Sequence, residues 1–271
     1  MNIAIIGCGK MGRIVERAAR ERGHRVSVVV DPFITGSEVP AGTLLRKTVE
    51  EAENLHEADV AIEFSQPGAA ADNIKALAKR RIPAVSGTTG WYGRMDEVKE
   101  AVNAAGSSLL WAANFSLGVN IFYRIAFNAA ALMDPFDEYD AGGFEAHHNK
   151  KADSPSGTAK TLAEGIIKRM ERKKKPVYET LDRPPLPGEF HFPSLRVGSL
   201  PGTHALVFDS PADTIEIRHT ARSREGFASG ALVAAQWLVK CPGPGQAAGG
   251  ARRGVFTMDD VLDELGVKST K

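Results

Sequence analysis

Cysteine is almost missing from this chain. Its two cysteines, Cys8 and Cys241, lie far apart and fit no metal-ligand spacing, which excludes a disulfide scaffold and suits a reducing compartment. An excess of either charge is missing as well. The 34 lysines and arginines stand against 33 aspartates and glutamates, so no basic field draws the chain to nucleic acid. No stretch approaches the roughly 18 uninterrupted apolar residues of a membrane span, and the N-terminus carries no basic region followed by an apolar signal core. A cytoplasmic globular protein without nucleic-acid or membrane partners is therefore expected. What the chain does have is apolar residues, 43% of 271, enough to bury a large core in one or two domains.

The first third alternates two periodicities. "NIAII" is a short β-branched run, and the segment after it places Met11, Ile14, Val15 and Ala18 at helical spacing, with Gly23 where a helix would stop. "RVSVVVD", "DVAIEFS", "IPAVSG" and "SLLWAAN" read as further strands, with helical "GAAADNIKALAKR" and "RMDEVKEAVNAAG" between them. Strands alternating with helices need crossover connections, and so a mostly parallel sheet covered on both faces.

Between the first strand and the first helix stands Gly7-Cys8-Gly9-Lys10-Met11-Gly12. Glycines at this spacing let the backbone approach a pyrophosphate, whose charge is favoured by the N–H groups and dipole at the helix start. The next strand ends in Asp31, 19 residues beyond the last glycine, where a carboxylate would receive the hydroxyls of an adenosine ribose. Together these features predict an N-terminal Rossmann-type, doubly wound domain. Asp31 repels a 2′-phosphate, and Pro32 and Phe33 add no cation beside it, so NADH is expected over NADPH; Arg13 or a distant lysine are the cations that could reach this pocket. At later strand ends, Gly87, Thr88 and Thr89 offer backbone groups and hydroxyls to the ribose and nicotinamide, and Asn114 a partner for the carboxamide.

After Asn120 the pattern changes. "IFYRIAFNAAALM" is an apolar helix, followed by the strand candidates "GGFEAHH", "FPSLRVGSL", "HALVF" and "TIEIRHTA", and by one helix starting near Ser156. A Pro- and Lys-rich connector, "RKKKPVYETLDRPPLPGEF", lies among them. Adjacent strands joined by short turns predict a mixed or antiparallel sheet in a second, α+β domain. "FASGALVAAQWLV" is a further helix, "CPGPGQAAGGARRG" a loop, and "TMDDVLDELG" a last short helix with Thr257 as its N-cap.

The second domain holds the most unusual stretch, "EAHHNKKADSPSGTAK", residues 145–160. A strand ending near His148 and a helix starting at Pro155 or Ser156 set two histidines and two lysines on a short connection aimed at a helix N-terminus. Lys151, one or both of His147 and His148, and the N–H groups of Gly157 and Thr158 suit a carboxylate-bearing ligand. A histidine can also give a proton near neutral pH. A metal site is disfavoured, because adjacent strand residues face opposite ways and no further histidine or cysteine completes a ligand set at the usual spacing; capping explains Ser156 better than nucleophilic attack. A nicotinamide domain joined to an anion pocket with a proton donor implies hydride transfer to a small carboxylate bearing C=N, C=C or C=O. An imino- or amino-acid dehydrogenase dependent on NAD(P) has the same parts.

The run "EAHHNKKADSPSGTA" closely resembles the signature of the bacterial 4-hydroxy-tetrahydrodipicolinate reductase (dihydrodipicolinate reductase) family. The likeness extends through "GCGKMG", "VAIEFSQP", "SGTTGW", "AANFSLGVN", "RVGSLPGTHALVF" and "IEIRHTARSREGFASGAL". It implies reduction of a cyclic dicarboxylate imine by NADH or NADPH in lysine and diaminopimelate biosynthesis, by a homotetramer. It further implies His147 as proton donor with Lys151 assisting, and His148, Gly157, Thr158 and Arg224 about the substrate. Gly7, Cys8, Gly9, Lys10, Met11, Gly12, Asp31, Gly87, Thr88, Thr89, Ala112, Ala113, Asn114 and Phe115 match the cofactor contacts. The family returns its last segment to the nucleotide domain, so 1–116 with 225–271 form the dinucleotide-binding domain and 117–224 the substrate and oligomerisation domain. The chain departs from the family pattern in a shorter glycine loop, in Asn149 and Lys150, in the lack of an arginine after Asp31, and in its 172–189 connector.

Overall fold

A computed structural model of the chain describes residues 1–240 and 251–267; Cys241, and with it most of the loop expected over 241–254, lies outside the described residues. The chain divides into two compact units, 1–117 with 225–265, and 118–224. Gly266, just beyond the last helix, takes a positive φ of 80°. Among the described residues no helix is long and apolar enough to cross a membrane.

The first unit runs β1 (Asn2–Ile6), α1 (Lys10–Glu21), β2 (Arg25–Val30), β3 (Leu44–Arg46), β4 (Val60–Glu63), α2 (Pro67–Lys79), β5 (Ala84–Ser86), α3 (Met95–Ala104) and β6 (Ser108–Trp111). After the second unit it resumes with α6 (Glu225–Val239), β13 (Gly254–Phe256) and α7 (Met258–Glu264). The strands form one parallel sheet in the order β13-β6-β5-β4-β1-β2-β3, a Rossmann order with one strand added. Both faces are covered, which is why β2 reads as a nearly continuous valine run. Ile3, Ile5, Val29 and Ile62 pack with Val15 and Ala19 of α1 and Ala231, Ala235 and Leu238 of α6. Ala4, Ile6, Val28 and Leu109 face the other way, against Ile74 and Leu77 of α2 and Val98 and Val102 of α3. Successive strand residues alternate between two cores, as the pleat requires.

The second unit holds α4 (Leu117–Met133), which starts one residue before the boundary, then β7 (Asp140–His147), α5 (Gly157–Ile167), β8 (Lys175–Val177), β9 (Glu189–His191), β10 (Ser194–Arg196), β11 (Thr203–Asp209) and β12 (Thr214–Thr220). Its sheet has the order β10-β7-β11-β12, with β10 parallel to β7 and the other pairs antiparallel. Phe122, Ala126 and Ala130 of α4 and Leu162, Ala163 and Ile166 of α5 pack with Leu206 and Phe208 of β11 and with Phe190 and Phe192. The Pro- and Lys-rich connector is not a plain loop: β8 and β9 pair in parallel within it. Lys173 pins this segment from inside, 3% exposed, through its contacts to Asp140 and the Glu189 carbonyl.

Candidate active site

The glycine turn shows directly why it needs glycines. A Cβ on Gly12 would stand 2.0 Å from the Gly7 carbonyl oxygen, and one on Gly7, at φ +86°, 2.5 Å from that of Phe64. Gly9 faces open space and is the N-cap of α1, with no side-chain hydrogen bond closing the helix end. The first N–H groups of a helix lie beyond its own acceptors, so this end suits an anion. Asp31 continues from β2 and is 7% exposed; its carboxylate accepts the N–H of Cys8 and that of Phe33, each at 2.8 Å. A carboxylate has about four lone-pair sites, so capacity remains for ribose hydroxyls. An open phosphate cradle next to a fixed carboxylate fits an adenine dinucleotide. Lys10 and Met11 open α1, Lys10 on the exposed side.

Around the 86–89 loop the structure adds a buried carboxylate. Glu63, at the end of β4 and 0% exposed, accepts the hydroxyls of Ser86 at 2.6 Å and Thr88 at 2.8 Å, together with the N–H and hydroxyl of Ser65. The Thr88 hydroxyl, expected at the cofactor, therefore turns inward; what it does is fix the loop. Gly87 is needed because a Cβ there would lie 2.1 Å from the Phe64 ring. Thr89 stays exposed. Farther along the edge, the Asn114 side-chain oxygen accepts the Ser116 N–H at 2.9 Å, and Ala112 donates to the Ser86 carbonyl. Ala113 is exposed, while Phe115 is buried edge-on to Phe64.

In the second unit the residues of 145–160 gather on Glu145. Residues two apart on a strand share a face, so Glu145 and His147 of β7 point the same way, and the register sets His204 of β11 opposite Glu145. Glu145 is 0% exposed. Its carboxylate accepts the Ser156 N–H at 3.1 Å and hydroxyl, the Ser194 hydroxyl at 2.7 Å and the Arg196 guanidinium at 3.0 Å. His147 Nδ1 lies 3.5 Å and His204 Nε2 3.4 Å from Oε2. Burial pushes the Glu145 carboxyl up, but the hydrogen bonds from His204, Ser156, Ser194 and Arg196 outweigh it and hold the group ionised. Burial moves His147 the other way, down to about 4; Glu145 opposes this, while His204, Lys151 and Arg196 reinforce it.

Ser156 links this network to α5. As N-cap it accepts the Ala159 N–H at 3.1 Å while its own N–H and hydroxyl go to Glu145. The helix end that presents Gly157 and Thr158 is thereby tied to the carboxylate beside His147. Lys151 donates to Asp153 at 2.7 Å, and His148 is half-buried at the strand end. Gly202, at φ +146°, stands before the other nitrogen of His147: a Cβ there would be 3.0 Å from Nε2. Glu145, His147 and His204 offer donor atoms within 4.8 Å of one another, yet the guanidinium already on the same carboxylate disfavours a cation there.

His147, Ser156 and the start of α5 thus share one network, with His148 and Lys151 on the strand end and turn that follow His147. Arg224 is exposed, and no hydrogen bond or ion pair joins it to this network among the described residues. Glu63, Glu145, Ser194, Arg196, Gly202 and His204 were missed from the sequence. Only Glu145 carried a local signal, its spacing of two from His147; the others reach the site through strand pairing.

A glycine-turn dinucleotide unit combined with a separate unit holding a buried acid–base network defines an NAD(P)-dependent oxidoreductase. The chain belongs to the dihydrodipicolinate reductase family: residues 1–115 match the family model described as "Dihydrodipicolinate reductase, N-terminus" and residues 118–262 that described as "Dihydrodipicolinate reductase, C-terminus". It is 38% identical over 265 residues to a 4-hydroxy-tetrahydrodipicolinate reductase of Christiangramia forsetii, covering 98% of this chain and 99% of the relative. To that of Archaeoglobus fulgidus it is 35% identical, over 97% of this chain and all of the relative. In fold it is similar to a dipicolinate-bound dihydrodipicolinate reductase from Paenisporosarcina sp. TG-14, with TM-score 0.75 and 20% identity over 95% and 97% of the two chains. An engineered D-amino acid dehydrogenase bound to NADP+ shares the fold at TM-score 0.55 and 14% identity, over 100% and 97% of the two chains.

Proposed function

We propose that the protein reduces 4-hydroxy-tetrahydrodipicolinate, by way of dihydrodipicolinate, to tetrahydrodipicolinate in lysine and diaminopimelate biosynthesis. It does so as a cytoplasmic homotetramer that prefers NADH to NADPH. The observation that carries this reading is the Glu145 network, which ties a histidine to a helix end fit for a carboxylate. When bound, the reduced nicotinamide supplies the hydride. The glycine turn holds the pyrophosphate, and Asp31 receives the ribose hydroxyls and disfavours a 2′-phosphate.

The substrate carries two carboxylates, so it needs two anchors. The Gly157 and Thr158 N–H groups at the start of α5 take one, with Lys151 and His148; Arg224, exposed just before α6, is free to reach the other. Asp153 accepts a hydrogen bond from the Lys151 ammonium and so restricts where it points. The proton leaves from His147 Nε2, the nitrogen that Gly202 keeps clear. Nδ1 is the nitrogen turned to Glu145, so the ionised carboxylate steadies the imidazolium as it forms. In the ligand-free protein His147 is neutral at pH 7, and the arriving dianion raises its proton affinity. Proton donation is in this way coupled to carboxylate binding.

The test is turnover. Substrate made in situ from pyruvate and aspartate semialdehyde by the preceding synthase should cause loss of reduced-nicotinamide absorbance that depends on every component, faster with NADH than with NADPH. Lys151→Ala and His147→Ala should each slow turnover by about 10²–10⁴-fold while NADH still binds. NADH that binds but is never consumed would remove the substrate assignment, and a monomeric mass in light scattering would remove the tetramer.

A further inference from the structure

The turn after β2 holds a cation that the linear sequence hides. β3 pairs with β2 so that Arg46 lies opposite Val30, and the Asp31 N–H extends the ladder to the Arg46 carbonyl at 2.9 Å. Lys47, the next residue, is thereby brought beside Asp31 at the carboxyl edge of the sheet, where dinucleotides sit. Its ammonium crosses the turn and donates to the carbonyls of Pro32 at 3.0 Å and Ile34 at 2.8 Å. Carbonyl groups orient an ammonium without neutralising it. Lys47 is exposed and forms no ion pair among the described residues, and two carbonyls leave one of its three N–H donors over.

Arg13, the other cation at this end, is differently placed. It meets Glu38 at 2.5 Å, and Glu38 itself is held in a capping box with Thr35, so the charge of Arg13 is matched by a fixed carboxylate. Arg13 and Glu38 also help line a cavity of about 430 Å³ beside α1. A 2′-phosphate stands on the ribose carbon whose hydroxyl Asp31 would otherwise receive. The carboxylate repels it, and an unmatched ammonium held on the carbonyl of the next residue, Pro32, offsets that repulsion.

We propose that Lys47 is the residue that meets a 2′-phosphate and so sets how well NADPH competes with NADH beside Asp31. This rests on the proposed function only in requiring a nicotinamide dinucleotide in the first unit. NADH and NADPH are titrated separately into the full-length protein, following nicotinamide fluorescence at low and high salt, for the wild type, Lys47→Met and Lys47→Arg. The wild type should bind both. Lys47→Met should lose roughly tenfold or more in NADPH affinity, the scale of one charge-assisted contact, with NADH changed less than about twofold and Lys47→Arg retaining NADPH. The loss should shrink as salt rises, because the pair is exposed. Equal weakening of both dinucleotides would make Lys47 a staple for the turn and overturn the proposal, as would an unchanged ratio or a wild type that never binds NADPH. Failure to bind either dinucleotide would overturn the cofactor site itself, whereas failure of the substrate assay alone leaves this result standing, since no turnover is read.

Discussion

Glu145 holds a full charge where water does not reach, and the groups around it act in different ways. Ser156 starts a helix, Arg196 matches the charge, and His147 turns Nδ1 toward the carboxylate. Removing only the charge tests whether these roles depend on it. In Glu145→Gln the side chain keeps its shape, but His147 Nδ1 faces a neutral amide and Arg196 loses its counter-ion. We expect kcat to fall about 10–100-fold, the scale of a lost charge-assisted contact, with NADH affinity unchanged. Thermal unfolding should show a loss of about 3–5 kcal/mol, as when one partner of a buried pair is removed. Unchanged kcat in a folded variant would mean that the carboxylate serves the fold alone. That His147 belongs to a candidate site was legible from its motif, which sets two histidines just before a helix start. The role of Glu145 was not, since its partners Ser194, Arg196 and His204 come from other strands and are invisible until the register is known.

Elements long enough to show a period were read correctly, and the failures were short. Strands of four or more residues and all of the longer helices stood out through their apolar spacing. β3, β8, β9 and β13, three residues each, show no period at all, and their pairing comes from neighbours far away in sequence. The same distance effect hid Lys47. Helix α6 shows what a predominantly apolar helix means: its residues Ala228, Ala231, Leu232, Ala234, Ala235 and Leu238 are all at 0% exposure. It also carries Gly230, where a Cβ would stand 1.7 Å from the Phe115 carbonyl oxygen. That contact involves backbone, which cannot step aside as a side chain can. Gly230→Ala should therefore destabilise the protein by about 1–3 kcal/mol despite the better helix propensity of alanine, read as a lower urea midpoint. An unchanged or higher midpoint would show that α6 is free to shift relative to the Phe115 backbone.

Across the whole molecule, the proposed reaction with His147 as donor requires that a proton be taken up before one is given. Burial holds His147 near 4 in the free protein, against an ordinary value of 6.5. Two arriving carboxylates favour the imidazolium and raise that value, so between about pH 4 and the raised value, binding must draw a proton from solvent. A lysine side chain is ordinarily an ammonium at neutral pH, so a reaction that used Lys151 as the donor would need no uptake on binding. Titrating pyridine-2,6-dicarboxylate into the NADH-loaded protein, by calorimetry in two buffers of different ionisation enthalpy, separates these cases. Uptake of up to one proton per site near pH 6, lost in His147→Gln and kept in Lys151→Met, would identify His147 as the group that charges when substrate binds. Uptake of zero at every pH, with the dicarboxylate still bound, would transfer the proton to Lys151 and leave Glu145 and His147 with the work of holding the helix end in place.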